Sequence, residues 1–368
     1  MGSGLSILLI AIVTAISSSI IGLFLVIRKM SMLTDAISHT VLFGIVVGFF
    51  IVKDIDSPLI ILFAGLTGLL TAWLVELLVK SKRATEDAAT GVVFPLLFAL
   101  GILIISAPGS MLKNTHIDID SVFLGHIEFS WIEQIMIGSI GIPKNLIISL
   151  IVLIINVLFI VIFFKELKIV SFDPALAAVL GFSPVLIHYL LMSLISITAV
   201  TAFDLVGAIM VVSLMIGPGA SALMITKDLK KTLLTTVFIA VINVLIGYFI
   251  ADWWVLPISG SIAVITMITF LAILLINPNN GIIATIYRRN HLVWQYKVVA
   301  MLVHIRNHEG DLDEAKEIAL DTIIDMLAWT EKEFERVFKY AKKNKYIILD
   351  NNILRVTTTG MEFKRRYL

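Results

Sequence analysis

Runs of about twenty apolar residues recur along the first three quarters of this chain, and they leave few folds open to it. In hydrocarbon there is no water for the backbone, so each run must close its peptide hydrogen bonds within itself as a helix. The alternating pattern of a membrane β-barrel is absent. Spans are expected at about 5–27, 32–52, 58–79, 88–107, 145–164, 185–203, 205–225, 232–250 and 258–277. The chain is 59% hydrophobic and 15% charged, where a soluble domain is about half apolar and a quarter charged. The expected fold is an all-α polytopic membrane protein of about eight to nine transmembrane helices, followed by a small C-terminal α+β domain. Spans six and seven meet at Phe203-Asp204 almost without a loop, so a broken helix there would change the count.

With no cysteine, the chain has no disulfide, no thiolate metal site and no cysteine nucleophile. His-Glu-x-x-His is absent, which argues against an intramembrane metalloprotease. The first apolar run lacks a basic n-region and reads as a retained helix rather than a cleaved signal. Basic residues fill alternate loops: Arg28-Lys29, Lys80 to Arg83, Lys165 to Lys168, Lys227 to Lys231, and Arg288-Arg289. The other loops carry Asp54, Asp56, Asp118, Asp120, Glu128, Glu133 and Asp252. The positive-inside rule then places the N-terminus outside and everything after the last span in the cytoplasm.

Asp35 and His39 stand four residues apart inside the second span. On a helix, i and i+4 share a face, and ionisable groups within a membrane are costly enough to mark a functional site. A carboxylate with an imidazole suits Mn, Fe or Zn. The same pair also suits a proton relay in a gradient-driven transporter or channel, or a hydrogen-bonded lock between helices. Two ligands are too few to complete a metal shell, so further ones are expected from another chain, water or backbone. If the helix starts near Arg28, His39 lies about 16 Å along it, close to the bilayer midplane.

Between spans five and six, Ser171 to Pro184 reads as a short helix with Asp173 as N-cap, Pro174 at the first position and Gly181 at the end. Its Ala-rich body fits an ordinary surface helix or one that docks into a partner's groove, and Ala177 is the position where an introduced charge should interfere. No Gly-x-x-x-x-Gly-Lys-Ser/Thr occurs, so the chain carries no P-loop and any driving energy must come from another polypeptide or from an ion gradient. In the outer loop, His116, Asp118, Asp120 and His126 could receive a cation, but read better as polar loop residues and caps. Asp204 reads as a residue of the outer mouth, and Trp253-Trp254 as an interfacial belt.

After about 288 the composition turns mixed and charged, giving domains at 1–287 and 288–368. Helices over 292–307 and 313–329, a capped helix from Thr330 to about Lys345, and a hairpin over 346–356 form a winged-helix order. Lys342, Lys343 and Lys345 make a small basic patch, yet Glu331, Glu333 and Glu335 precede it, which argues against nucleic acid as partner. His304, His308, Glu309 and Asp311 form a sparse candidate metal cluster.

The segment Arg28-Lys29-Met30-Ser31-Met32-Leu33-Thr34-Asp35-Ala36-Ile37-Ser38-His39 to Gly44 resembles the second-helix motif of manganese/zinc/iron ABC importer permeases. The resemblance continues through Glu86 to Phe94, Asp118-Ile119-Asp120 with Phe123-Leu124-Gly125, Lys165 through Gly181, Val206 to Val212, Pro218 to Ala222, and Gly247-Tyr248, covering roughly 5–277. It implies a multi-pass permease of the prokaryotic inner (cell) membrane, surrounded by lipid and importing Mn, Zn or Fe. It implies no covalent cofactor and no enzyme activity of its own. Two cytoplasmic ATPase subunits would use the ATP, an extracellular metal-binding protein would deliver the cation, and the permease would pair with itself or a sister permease. The family's metal residues carry over to Asp35 and His39. Its ATPase-coupling helix carries over to Phe172, Asp173, Pro174, Ala175, Leu176, Ala177, Ala178, Val179, Leu180 and Gly181. Phe43 stands where the family commonly has proline, and the winged-helix tail resembles the one that only some longer members carry, which is similar to the metal-responsive repressors.

Overall fold

The computed structural model describes residues 3–53, 57–106, 127–137, 140–278, 281–310, 313–320, 322–350 and 352–367. His116, Asp118, Asp120, His126 and the side chain of Asp204 lie outside the described parts. Contacts divide the chain into two compact units, Met1–Asn277 and Pro278–Leu368. The division falls ten residues before the compositional boundary expected at 287/288, because the apolar residues at 282–287 belong to a helix that continues into the charged tail.

The first unit is helical: α1 (Ser3–Ile27), α2 (Met32–Val52), α3 (Pro58–Lys80), α4 (Glu86–Ser106), α5 (Lys144–Ile162), α6 (Phe164–Phe172), α7 (Pro174–Val179), α8 (Pro184–Ile225), α9 (Leu229–Trp254) and α10 (Ile258–Ile276). Among the described residues, nine segments are long and apolar enough to cross a membrane, and their bounds match the expected spans within four residues. A short hairpin, β1 (Gln134–Ile137) with β2 (Ile140–Pro143), precedes α5. The starts of the helices follow local chemistry. Ser57, Ser183 and Asp228 each accept a backbone N–H of the first turn, and proline follows the two serines at the first helical position.

Spans six and seven are two helical arms, taken together as α8, that join at Gly207, whose backbone is not helical (φ 75°, ψ 166°). The first arm of α8 begins beside Arg28, where Arg28 donates to His188 at 2.9 Å. Ten residues on, it is level with Ser17, since Asn156 donates to both Ser17 Oγ (3.0 Å) and Thr198 Oγ1 (2.8 Å). The second arm leads straight into α9, whose far end reaches the start of α1 through Tyr248 and the Gly4 carbonyl (3.2 Å). The two arms therefore run in opposite directions. The chain reverses at Gly207, three residues beyond the expected join, because an L-residue resists a φ of this sign.

The core centres on α1, which packs against α5, α8 and α9 and buries Ile10, Ile21, Leu23 and Phe24 completely. α2 packs on α3, α4 and α8. Met210 and Met215 are fully buried in the second arm of α8, as packing residues. Close approach replaces side-chain bulk where α1 crosses that arm: a Cβ on Gly22 would lie 2.1 Å from the Met215 carbonyl oxygen.

The second unit holds α11 (Ile282–His308), single turns α12 (Glu314–Glu317) and α13 (Ile323–Met326), α14 (Glu331–Lys343), the hairpin β3 (Ile347–Asp350) with β4 (Ile353–Val356), and α15 (Thr358–Tyr367). The helix expected over 313–329 is broken into those two turns. Between them the backbone pairs with the hairpin through Ala319 and Ile353, and Leu354 N–H donates to the Ile318 carbonyl. Ile318 is thereby drawn wholly into the core. α15 was not expected; Phe363 stacks on Tyr346 at 4.5 Å and ties it to the hairpin. The capping box at Thr330 and Glu333 forms as the sequence indicates. Hydrogen bonds from Lys297 and from Thr330 hold the Glu333 carboxyl down at about 2.

Gly22→Ala should lower the thermal midpoint of the detergent-solubilised protein sharply, by an overpacking cost of roughly 1–3 kcal/mol or more, because the opposing atom is backbone and cannot rotate away. Gly91→Ala, where nothing lies within 4 Å of the added carbon, should leave it within about 1 kcal/mol. Equal midpoints for the two variants would contradict the packing described.

Candidate functional site

α1 ends in a turn with Lys29 in left-handed geometry (φ 62°), and α2 starts afresh at Met32. His39 therefore lies seven residues into α2, about 10 Å from its start at Met32 and not the roughly 16 Å that a start at Arg28 would give. Asp35 and His39 do share a face: Oδ1 and Nε2 are 3.4 Å apart, with 39% and 24% of their side chains exposed. The imidazole packs against two rings of α4, tilted on Phe94 at 5.6 Å and edge-on to Phe98 at 6.0 Å. An apolar aromatic wall on one side and an open carboxylate on the other leave a partly desolvated pair that can turn two lone pairs toward one cation. Among the described residues, no third His, Asp or Glu joins them in a cluster of ligands.

A second polar assembly gathers at the Arg28 end of the bundle, from α3, α8 and the α1–α2 turn. The Glu76 carboxylate accepts Tyr189 O–H at 2.7 Å and pairs with Lys80 at 2.8 Å. His188 Nε2 stands 3.7 Å from the same carboxylate. A guanidinium carries donors only, so the Arg28 contact makes His188 Nδ1 an acceptor and the imidazole neutral. Its remaining hydrogen then sits on Nε2 and faces Glu76. Glu86, at the start of α4, is the other carboxylate whose field reaches Arg28. Glu76 was not among the residues singled out in the sequence. The available signal was an acid inside an apolar span, four residues before a lysine.

α7 forms between Asp173, whose carboxylate accepts the Leu176 N–H at 3.0 Å, and Gly181, with φ of 85°. Ala177 is fully buried and packs into the core of the first unit. A charge there would disturb packing within this chain, so it cannot report on docking as expected. The outward residues are large and apolar: Phe172, Leu176, Val179 (84% exposed) and Leu180.

On the opposite end of the bundle, Glu128 accepts the Ile258 N–H at 3.0 Å and so caps α10 from a distance. Trp253 and Trp254 are 85% and 69% exposed at the end of α9.

Glu76→Ala should lower the thermal midpoint by the equivalent of roughly 1–3 kcal/mol, since it strands Tyr189 and removes the carboxylate facing His188 and Arg28. Lys80→Ala removes only an exposed partner and should lower the midpoint less than Glu76→Ala does. The reverse order in detergent melts would overturn this account of the cluster.

The sequence profile of the ABC 3 transport family matches residues 5–277. The manganese transport system membrane protein MntD of Bacillus subtilis is 42% identical over 274 residues, 74% of this chain and 91% of that one. The zinc transport system membrane protein TroD of Treponema pallidum is 34% identical over 364 residues, 99% and 98% of the two chains, so the likeness includes the second unit. Among solved structures, PsaBC from Streptococcus pneumoniae in complex with Fab superposes with a TM-score of 0.62 at 28% identity, over 76% of this chain and 94% of that one.

Proposed function

This chain belongs to the ABC 3 transport family, and on that premise we propose that it is the permease through which manganese or zinc enters the cell, with Asp35 and His39 touching the ion in transit. It is a multi-pass membrane subunit and not an enzyme; ATP is hydrolysed by separate ATPase chains. The gradient-driven alternative is set aside with the family.

The observation that carries the site is the Asp35–His39 pair itself. It is the wrong pair to bury for stability alone, being half-exposed, bonded at 3.4 Å and set against two phenylalanines. Carboxylate oxygen and neutral imidazole nitrogen are ligands that manganese and zinc both accept, and zinc binds more tightly wherever geometry does not intervene. With two ligands from one chain, the rest of the shell comes from a second permease copy or a sister chain, or from water. An incomplete shell also lets the ion leave again. Alternating access would present the pair first to an extracellular metal-binding protein and then to the cytoplasm.

Coupling to ATP is assigned to Phe172–Gly181. Four large apolar side chains on and around a capped six-residue helix make a knob suited to a groove on another protein. The basic loops support a cytoplasmic position for this knob and for the second unit. The order of helices and hairpin in the second unit supports a winged-helix domain, and the acidic first turn of α14 supports contact with protein rather than nucleic acid.

Vesicles containing this chain with its ATPase should take up radioactive manganese or zinc only with ATP, and Asp35→Ala or His39→Ala should cut that uptake at least tenfold while the ATPase still co-purifies. Normal uptake in both variants would remove the site assignment. Val179→Glu should abolish co-purification of the ATPase without lowering the permease's thermal midpoint. Retained co-purification would count against α7 as the docking element.

A further inference from the structure

We infer that the second unit carries a metal site of its own, formed by His304, His308 and Glu317, for a divalent first-row transition cation. Each of the three offers a ligand atom, and those atoms lie within 4.8 Å of one another, near enough for one ion to bridge them after small side-chain rotations. Ligand distances of about 2 Å around one tetrahedral centre put the ligand atoms about 3.4 Å apart, which those rotations would have to reach.

The backbone builds this arrangement. His304 and His308 sit one turn apart on α11, with ring centroids 4.9 Å apart, so the two imidazoles share one face. Gly310, at φ 91°, lies in the reversal that returns the chain as α12. The returning turn is pinned to the helix by a contact between His304 Nε2 and the Glu317 carbonyl at 3.0 Å. The next residue, Ile318, is locked into the core and hydrogen-bonded to β4, which fixes Glu317 between two rigid attachments. All three side chains are only partly buried, so an ion can reach them. Glu309, named with the histidines in the sequence, is turned aside by Arg306 at 2.6 Å. Asp311 lies outside the described residues.

Two imidazoles and a carboxylate with no thiolate favour zinc, manganese, iron, cobalt or nickel over copper(I), and three protein ligands leave one position for water. The hydrogen bond from the His304 ring to the Glu317 carbonyl, with Nε2–H as donor, is the outer support that fixes tautomer and ring angle in metal sites. An ion here would clamp α11 to the segment that enters the hairpin. It would do so independently of Asp35 and His39, which belong to the other unit.

The test is zinc binding by the full-length protein in detergent, stripped with chelator and titrated with zinc alone. The Asp35→Ala/His39→Ala double variant should still bind about one equivalent. Adding Glu317→Gln or His308→Gln to it should weaken that binding at least tenfold while the metal-free melting midpoint stays unchanged. Cobalt(II) in place of zinc should give visible absorption from a site with imidazole ligands, lost in the same variants. If the double variant binds no zinc, or binds it undiminished with Glu317 and His308 both replaced, the inference is overturned. The transport-site assignment is judged separately, by the equivalent lost between wild type and the double variant.

Discussion

A peptide group surrounded by hydrocarbon has no partner except another peptide group, and this requirement governs the first unit from Ser3 to Ile276. It makes every long segment a helix, and it also limits how those helices can be joined and held. With no difference in hydrophobicity between helix surface and lipid, association must come from close packing and polar contacts. Both are present. Gly22 lets α1 lie directly on the backbone of α8. Asn156 bridges Ser17 and Thr198 from the middle of α5, and Thr71 donates to Thr40 at 2.9 Å between α3 and α2.

The ionisable groups described within this bundle fall into two arrangements. At the Arg28 end, Glu76, Tyr189, His188, Arg28 and Lys80 form a chain of mutual contacts on α3, α8 and the turn after α1. Such an assembly fixes where three helices meet. Asp35 and His39 are different. They hold each other loosely, against an aromatic wall, with a large share of the carboxylate open. A stable protein gains little from a pair of that kind, whereas a moving ion needs one. The contrast supports transport at α2 and architecture at the Arg28 end, although both were ionisable residues in apolar sequence.

Much of the fold was legible because its cues are local. Twenty apolar residues, a Ser-Pro start, the Asp173 cap and the Thr330–Glu333 box each act within a few residues of themselves, and all stand where the sequence put them. The Asp35–His39 juxtaposition is local in the same sense, being one helical turn. The failures come from long range. Whether Ala177 faced in or out depended on α7 lying against the bundle, which its composition does not state. Residues 313–329 carry helical spacing, but the hairpin claims the backbone at Ile318 to Leu320. The partners of Glu76 lie 113 residues away at Tyr189. Glu317 was passed over as a ligand because only the reversal at Gly310 brings it to His304. The distance from the helix start to His39 is shorter than expected because Lys29 takes a conformation unusual for a lysine and delays the start of α2.

The reversal inside α8 has one more implication, for what the chain can tolerate in its length. Two membrane arms are joined here through a single glycine, with helix running up to it on both sides. An ordinary loop absorbs an added or missing residue as slack. Here there is no slack: one residue inserted near Gly207 would turn the following arm by about 100° and advance it by about 1.5 Å. Met215 would leave the surface of Gly22, Gly219 would leave Leu23, and the polar and apolar faces of the arm would exchange neighbours along its whole length. The spacing between Phe203 and Ala208 therefore works as a phase setting for the second half of the bundle, and length variation across this joint is excluded where most other connections of the chain would accept it.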